Sequence, residues 1–155
     1  NKATLHFPVF GTILIKTFLA RFSRTVNSLL QSGIALTKAL EIASESIGSE
    51  TYKNIIIEAK QKVEQGGTLS GSLESYPKYF PTIMSKMLMV GEKTGGMERS
   101  TEHLANLYEK DVDNITKNLS VLLEPLLLVF MATIVGGLAI SIIMPIYQLP
   151  NLISK

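Results

Sequence analysis

The chain has 155 residues, 46% of them hydrophobic, and its 15 Lys and Arg nearly balance 13 Asp and Glu, leaving a formal net charge of +2. That charge is too small, and its basic residues too scattered among acidic ones, to form a nucleic-acid surface. With no cysteine there is no disulfide framework, thiolate metal site or cysteine nucleophile, which fits a reducing compartment.

The chain opens on Asn, and its early apolar run 9–15 soon meets Lys16, Arg21 and Arg24, which is not a signal-peptide pattern. It reads as a piece of a longer protein. From Ile13 the apolar residues Ile15, Phe18, Leu19, Phe22, Val26, Leu29 and Leu30 recur at helical spacing, predicting an amphipathic helix that ends near Gly33. Leu36, Leu40, Ala43 and Ile47 predict a second helix, after which Gly48 and Ser49 supply a stop and a new N-cap. Tyr52, Ile55, Ile56, Ala59 and Val63 form the third, broken at Gly66 and Gly67. Residues 68–75 allow only a short fourth helix, and Pro77 and Pro81 bracket a loop whose Tyr79 and Phe80 should enter the core. A fifth helix starts at Pro81, uses Met84 and Met87 as core filler, and is expected to stop at the glycine-rich segment 91–96.

From Met97 a stripe of Thr101, Leu104, Tyr108, Val112, Ile115, Leu119 and Leu122 runs unbroken into Glu124 and Pro125. Beyond it, residues 125–154 contain no Asp, Glu, Lys, Arg or His. Twenty helical residues at ~1.5 Å rise span roughly 30 Å, the hydrocarbon thickness of a bilayer, so a transmembrane helix is expected over 123–149. The sixth helix would then be one long rod, half outside the membrane and half in it. Glu124 marks the membrane surface, since a carboxylate is costly deep in hydrocarbon. Pro125 sits at the first turn of the membrane helix or at a kink, and Pro145 and Pro150 are expected to end the span. Tyr147 is the aromatic available at the far interface. Ala132, Gly136 and Gly137 offer a small-residue surface where another helix could approach. Lys110 and Lys117 precede the run and Lys155 follows it, a bias that puts the preceding domain in the cytoplasm. The expected fold is all-α, with no sustained period-two alternation anywhere.

Candidate chemistry is sparse. The segment 91–96 ends like a phosphate loop in Lys93 and Thr94, but Glu92 and Met87 stand where such a loop needs glycine, and it follows a helix instead of a strand. It reads instead as an interhelical turn in which glycines adopt positive φ and Glu92 makes a polar contact across a helix terminus. His6 and His103 are isolated, and the glutamates at 41, 45, 50, 58, 64 and 74 are spread over several helices, as solvated faces are. No catalytic, cofactor or metal residue is assigned.

Four segments carry a family likeness: Pro8-Val9-Phe10-Gly11 with Ala20-Arg21-Phe22; Ser32-Gly33-Ile34-Ala35-Leu36 with Ala39-Leu40; the loop from Gly91-Glu92 to Gly95; and Leu123-Glu124-Pro125, followed by the apolar run and Met144-Pro145-Ile146-Tyr147. Together they resemble the type II secretion system protein F and type IV pilus inner-membrane platform family. The resemblance implies an antiparallel six-helix bundle whose last helix continues into a C-terminal membrane span. It makes this chain the second family repeat (13–122) plus that span, with residues 1–12 following an upstream span and 150–155 a short non-cytoplasmic tail.

It further implies a non-enzymatic scaffold in the bacterial inner membrane that couples a cytoplasmic ATPase to pilin or pseudopilin assembly. The implied partners are that ATPase, the pilins, other inner-membrane assembly proteins, lipid and a second copy of the protein. Arg21, Gly33, Gly91, Glu92, Gly95, Glu124 and Pro125 fall on the family pattern, whereas Gly96-Met97 departs from the single glycine and Leu found in many members. Glu92 and Lys93 are expected to dock a partner, with charge reversal at Glu92 lowering assembly in a folded protein. The competing class is a membrane-anchored helical sensor, metal-binding or enzymatic domain; a transporter subunit is disfavoured because the span carries no charge.

Overall fold

In the computed structural model, the backbone is described for residues 8–153 and the side chains for residues 11–118, 125 and 127–143. All regular structure among the described residues is helical: α1 (Pro8–Gln31), α2 (Leu36–Ser46), α3 (Glu50–Glu64), α4 (Leu69–Glu74), α5 (Thr82–Thr94) and α6 (Met97–Ile153). The chain divides into two compact units, Asn1–Asp113 and Asn114–Lys155.

The first unit holds the core. Successive helices pack on one another, α1 on α2, α2 on α3, α3 on α4 and α4 on α5. Leu19, Phe22 and Val26 of α1 are fully buried with Leu40, Ile56, Leu73, Met84, Leu88 and Leu104, so the apolar stripes read in the sequence meet in one cluster. Phe80 enters that cluster as expected, edge-on to Phe22 with ring centroids 5.7 Å apart. Tyr52 stacks tilted against Phe18 and donates its hydroxyl to the Tyr79 carbonyl at 3.1 Å. Burial pushes the Tyr52 phenol far above its ordinary range.

The seam between α1 and the first part of α6 is polar. Arg24 forks onto Glu109, Nε to Oε1 at 2.7 Å and Nη2 to Oε2 at 2.6 Å, and its Nη2 also reaches Asn106 Oδ1 at 2.8 Å. Lys16 pairs with Asp111 at 2.6 Å, and Asn27 donates to the Glu98 carbonyl at 2.8 Å. Partner numbers fall along α6 as they rise along α1, so these two segments run in opposite directions.

Two helix boundaries differ from the sequence reading, and one cap differs in detail. The first helix already includes residues 8–12, where Pro8, Gly11 and Thr12 carry no apolar period. The fifth runs through Gly91, Glu92, Lys93 and Thr94 and ends at Gly95. Ser49 occupies the N-cap position of α3 but makes no side-chain cap hydrogen bond.

The second unit is the remainder of α6. Pro125, Pro145 and Pro150 all lie within this helix, as does Glu124. Over residues 127–143 the large apolar side chains point outward in every direction, with Val129, Leu128, Ile140 and Ile142 each about two-thirds exposed. Among the described residues, no helix is long and apolar enough to cross a membrane. The side chains of Glu124 and Tyr147, and of both flanks of the 127–143 stretch, lie outside the described residues, as do residues 1–7 and 154–155.

Candidate interaction site

Within 91–95, Glu92 reaches the start of α4 and Gly91 faces α6. Helix α4 has only six residues, and its first amides need acceptors that it cannot supply. Thr68, at the N-cap, accepts from the Gly71 amide at 3.2 Å, but the third helical residue is Gly71, so no capping-box carboxylate is available locally. Glu92 supplies it from α5. Its Oε1 accepts from the Leu69 amide at 2.5 Å, and its Oε2 from the Ser70 amide at 3.2 Å and the Ser70 hydroxyl at 2.5 Å. With the Ser72 amide bonded to the Thr68 carbonyl, every amide of the first turn has an acceptor. A negative charge at this end also opposes the positive end of the helix dipole.

The glycines on either side act differently. Gly91 is buried inside α5, and a Cβ there would lie 2.7 Å from Ser100 Oγ and 2.9 Å from Ser100 Cβ. Its role is close approach of α5 to α6. Gly95 has φ 70°, and the Gly96 amide returns to the Gly91 carbonyl at 2.9 Å, closing α5 with a left-handed residue that only glycine adopts cheaply. Lys93 points to solvent.

The remaining motif residues lie apart from this corner. Gly33, also at positive φ, ends α1, with the Gly33 amide on the Leu30 carbonyl and the Ile34 amide on that of Leu29. Arg21 is exposed and donates to the Ile47 carbonyl at 3.3 Å, tying α1 to the end of α2. Ala132, Gly136 and Gly137 are exposed on α6, with no atom within 4 Å of where a Cβ on either glycine would sit.

Several of the scattered glutamates are engaged in ion pairs. Glu41 bridges Lys38 and Lys60, each at 3.0 Å, and these lysines hold its carboxyl below the usual carboxylate range. Lys62 and the Tyr76 hydroxyl do the same for Glu58, and Arg24 does it for Glu109. Among the described residues, no three acidic or histidine side chains gather as a metal site would need. Ser100 and Ser70 are the site residues that sequence reasoning did not single out. The absence of a carboxylate at 71 was the available signal for the second.

Residues 22–145 match the family model described as type II secretion system (T2SS), protein F. The chain belongs to the type II secretion system protein F family. Of the sequence-assigned residues, Gly33, Gly91, Glu92, Lys93, Gly95, Glu124, Pro125, Ala132, Gly136 and Gly137 fall inside the matched segment, and Arg21 immediately precedes it.

Among curated relatives, the chain is 34% identical over 154 residues to the type IV pilus assembly protein PilC of Thermus thermophilus, covering 99% of this chain and 38% of that protein. It is 35% identical over 153 residues to PilC of Myxococcus xanthus, covering 99% and 36%. It is 34% identical over 149 residues to the type II secretion system protein F of Pseudomonas aeruginosa, covering 96% and 36%. The chain thus spans less than two fifths of the length of these three relatives.

Proposed function

We propose that this chain forms part of a non-enzymatic platform subunit in the inner membrane of a bacterial type IV pilus or type II secretion machine. Its first unit serves as an antiparallel six-helix bundle in the cytoplasm, where an assembly ATPase engages it, and α6 carries the connection to pilin or pseudopilin polymerisation.

One observation carries this reading: the two units have opposite surfaces. The first closes a core under an ion-paired exterior, whereas residues 127–143 of the second present apolar side chains on every face. Such a helix requires a non-aqueous surround. Thr133 returns its hydroxyl to the Val129 carbonyl at 2.8 Å, an arrangement compatible with lipid. The stretch lies within the uncharged run 125–154, which is long enough for a bilayer, with Glu124 and Pro125 at the headgroup level. The open space beside Gly136 and Gly137, with Ala132 exposed near them, suits a neighbouring membrane helix, whether from the same protein, a second copy or a pilin. The names of the relatives, which concern pilus assembly and type II secretion, support the choice of machine.

The test is complementation of a strain lacking the full-length gene, scoring surface pili or secretion beside membrane fractionation. Wild type is expected to restore assembly. Val135→Lys, which costs about 2.5–3.5 kcal/mol at mid-bilayer, should lower both membrane retention and assembly. Normal assembly in the deletion strain, or full membrane retention and assembly by Val135→Lys, would sink the reading.

A further inference from the structure

We propose that the solvent face of α5, formed by Ile83, Lys86, Val90 and Lys93, is a docking surface for an acidic amphipathic helix of a partner protein. These four positions are spaced three, seven and ten residues from the first, so they share one stripe of the helix about 15 Å long. The opposite side of α5 is committed to the fold: Met84, Ser85, Leu88 and Gly91 are buried. The single carboxylate of α5, Glu92, turns to α4.

What is left facing water combines two features. Ile83 and Val90 are 54% and 59% exposed, the large hydrophobic residues of α5 that face solvent. An isolated exposed aliphatic is ordinary, but here two sit in register and alternate with two lysines. Among the described residues neither Lys86 nor Lys93 is in an ion pair, a state they share with Lys53, Arg99 and Lys110; what distinguishes them is their place in one stripe with Ile83 and Val90.

A stripe of two positive charges seven residues apart, with an aliphatic between and another before them, is complementary to a helix carrying carboxylates at the same interval around apolar anchors. An anionic membrane fits this face less well. Interfacial helices bury bulky Trp, Phe or Leu, and this face has only β-branched Ile83 and Val90 and no aromatic.

The test is site-specific photo-crosslinking in cells that natively make the full-length protein. A benzoylphenylalanine replaces Val90, and Lys38 on α2 serves as the control site. The Val90 probe is expected to form an adduct with a peptide of another protein in which Asp or Glu flank apolar residues at helical spacing. Lys86→Glu with Lys93→Glu should lower its yield roughly tenfold or more, and changing the mapped carboxylates to Lys should restore it. Lys86→Gln with Lys93→Gln, which lowers the yield less, supplies the same readout should charge reversal shift the melting temperature.

An adduct with phospholipid, with a basic or uncharged peptide, or with this protein's own sequence overturns the inference. So does a folded, inserted protein that gives no adduct, or a yield that both double variants leave unchanged. The inference does not depend on the partner being the ATPase. An acidic helix from a different protein bears it out equally, and the coupling proposed above is tested separately by the complementation experiment.

Discussion

Single residues at the α4–α5–α6 corner do work that their type does not announce. Glycine at 91 looks like a helix breaker, yet it lies inside α5, and what matters is the missing Cβ opposite Ser100. Because Ser100 Cβ itself stands 2.9 Å from the would-be methyl, rotating the serine hydroxyl away cannot relieve the clash, and α6 has to shift. Gly91→Ala is therefore expected to destabilise the protein by about 1–3 kcal/mol, the usual range for overpacking. In a double-mutant cycle read by denaturant unfolding, Ser100→Gly should recover a large part of that loss, whereas strict additivity would show that the two residues do not meet. Glu92 carries a similar lesson. Its carboxylate is half-buried and bound to Leu69 and Ser70, so reversing its charge removes a fold contact, while the neighbouring Lys93 can be changed from the solvent side.

At the scale of elements, ion pairs join neighbouring helices around the core. Glu41 links α2 to α3 through Lys60, Arg24 and Glu109 link α1 to α6, and Lys62 holds Glu58 within α3 beside Tyr76 of the loop between α4 and α5. Each of these three carboxyls titrates below its ordinary value of 4.5 in the folded protein. The unfolded chain therefore binds protons at higher pH than the folded one does. The stabilisation is fully present above the unfolded value and is lost as pH falls through the lower folded values. The unfolding midpoint is expected to stay level from pH 7 to about 5 and to drop below about 4.5. Arg24→Met should flatten part of that drop, and an unchanged acid profile would show that the α1–α6 fork contributes nothing.

The same elements show what a sequence can disclose. The six helices and their buried stripes were legible because apolar residues recur at helical spacing, as Leu19, Phe22 and Val26 do. The extent of α5 was not, because a glycine chosen for close approach and a glycine chosen for positive φ are the same letter at 91 and 95. A polar contact of Glu92 at a helix terminus was legible, but its partner at the start of α4 was not, because that lies 22 and 23 positions away.

For the molecule as a whole, the division into two units separates stability from placement. All core residues among the described ones lie before Asp113, and none of the described side chains of residues 127–143 is buried. A chain ending at Asn118 is accordingly expected to remain helical, to unfold cooperatively and to stay in solution without detergent. Circular dichroism and sedimentation check this, and aggregation of the truncated chain would show that the later part of α6 is needed to complete the first unit. The cap on α4 also has a meaning in time. A helix of six residues does not nucleate alone, and its acceptor arrives on the chain more than twenty residues after Leu69. During synthesis, the acceptor for the Leu69 and Ser70 amides becomes available only once Glu92 has left the ribosome. The cap of the short helix is thus a contribution from chain made after it.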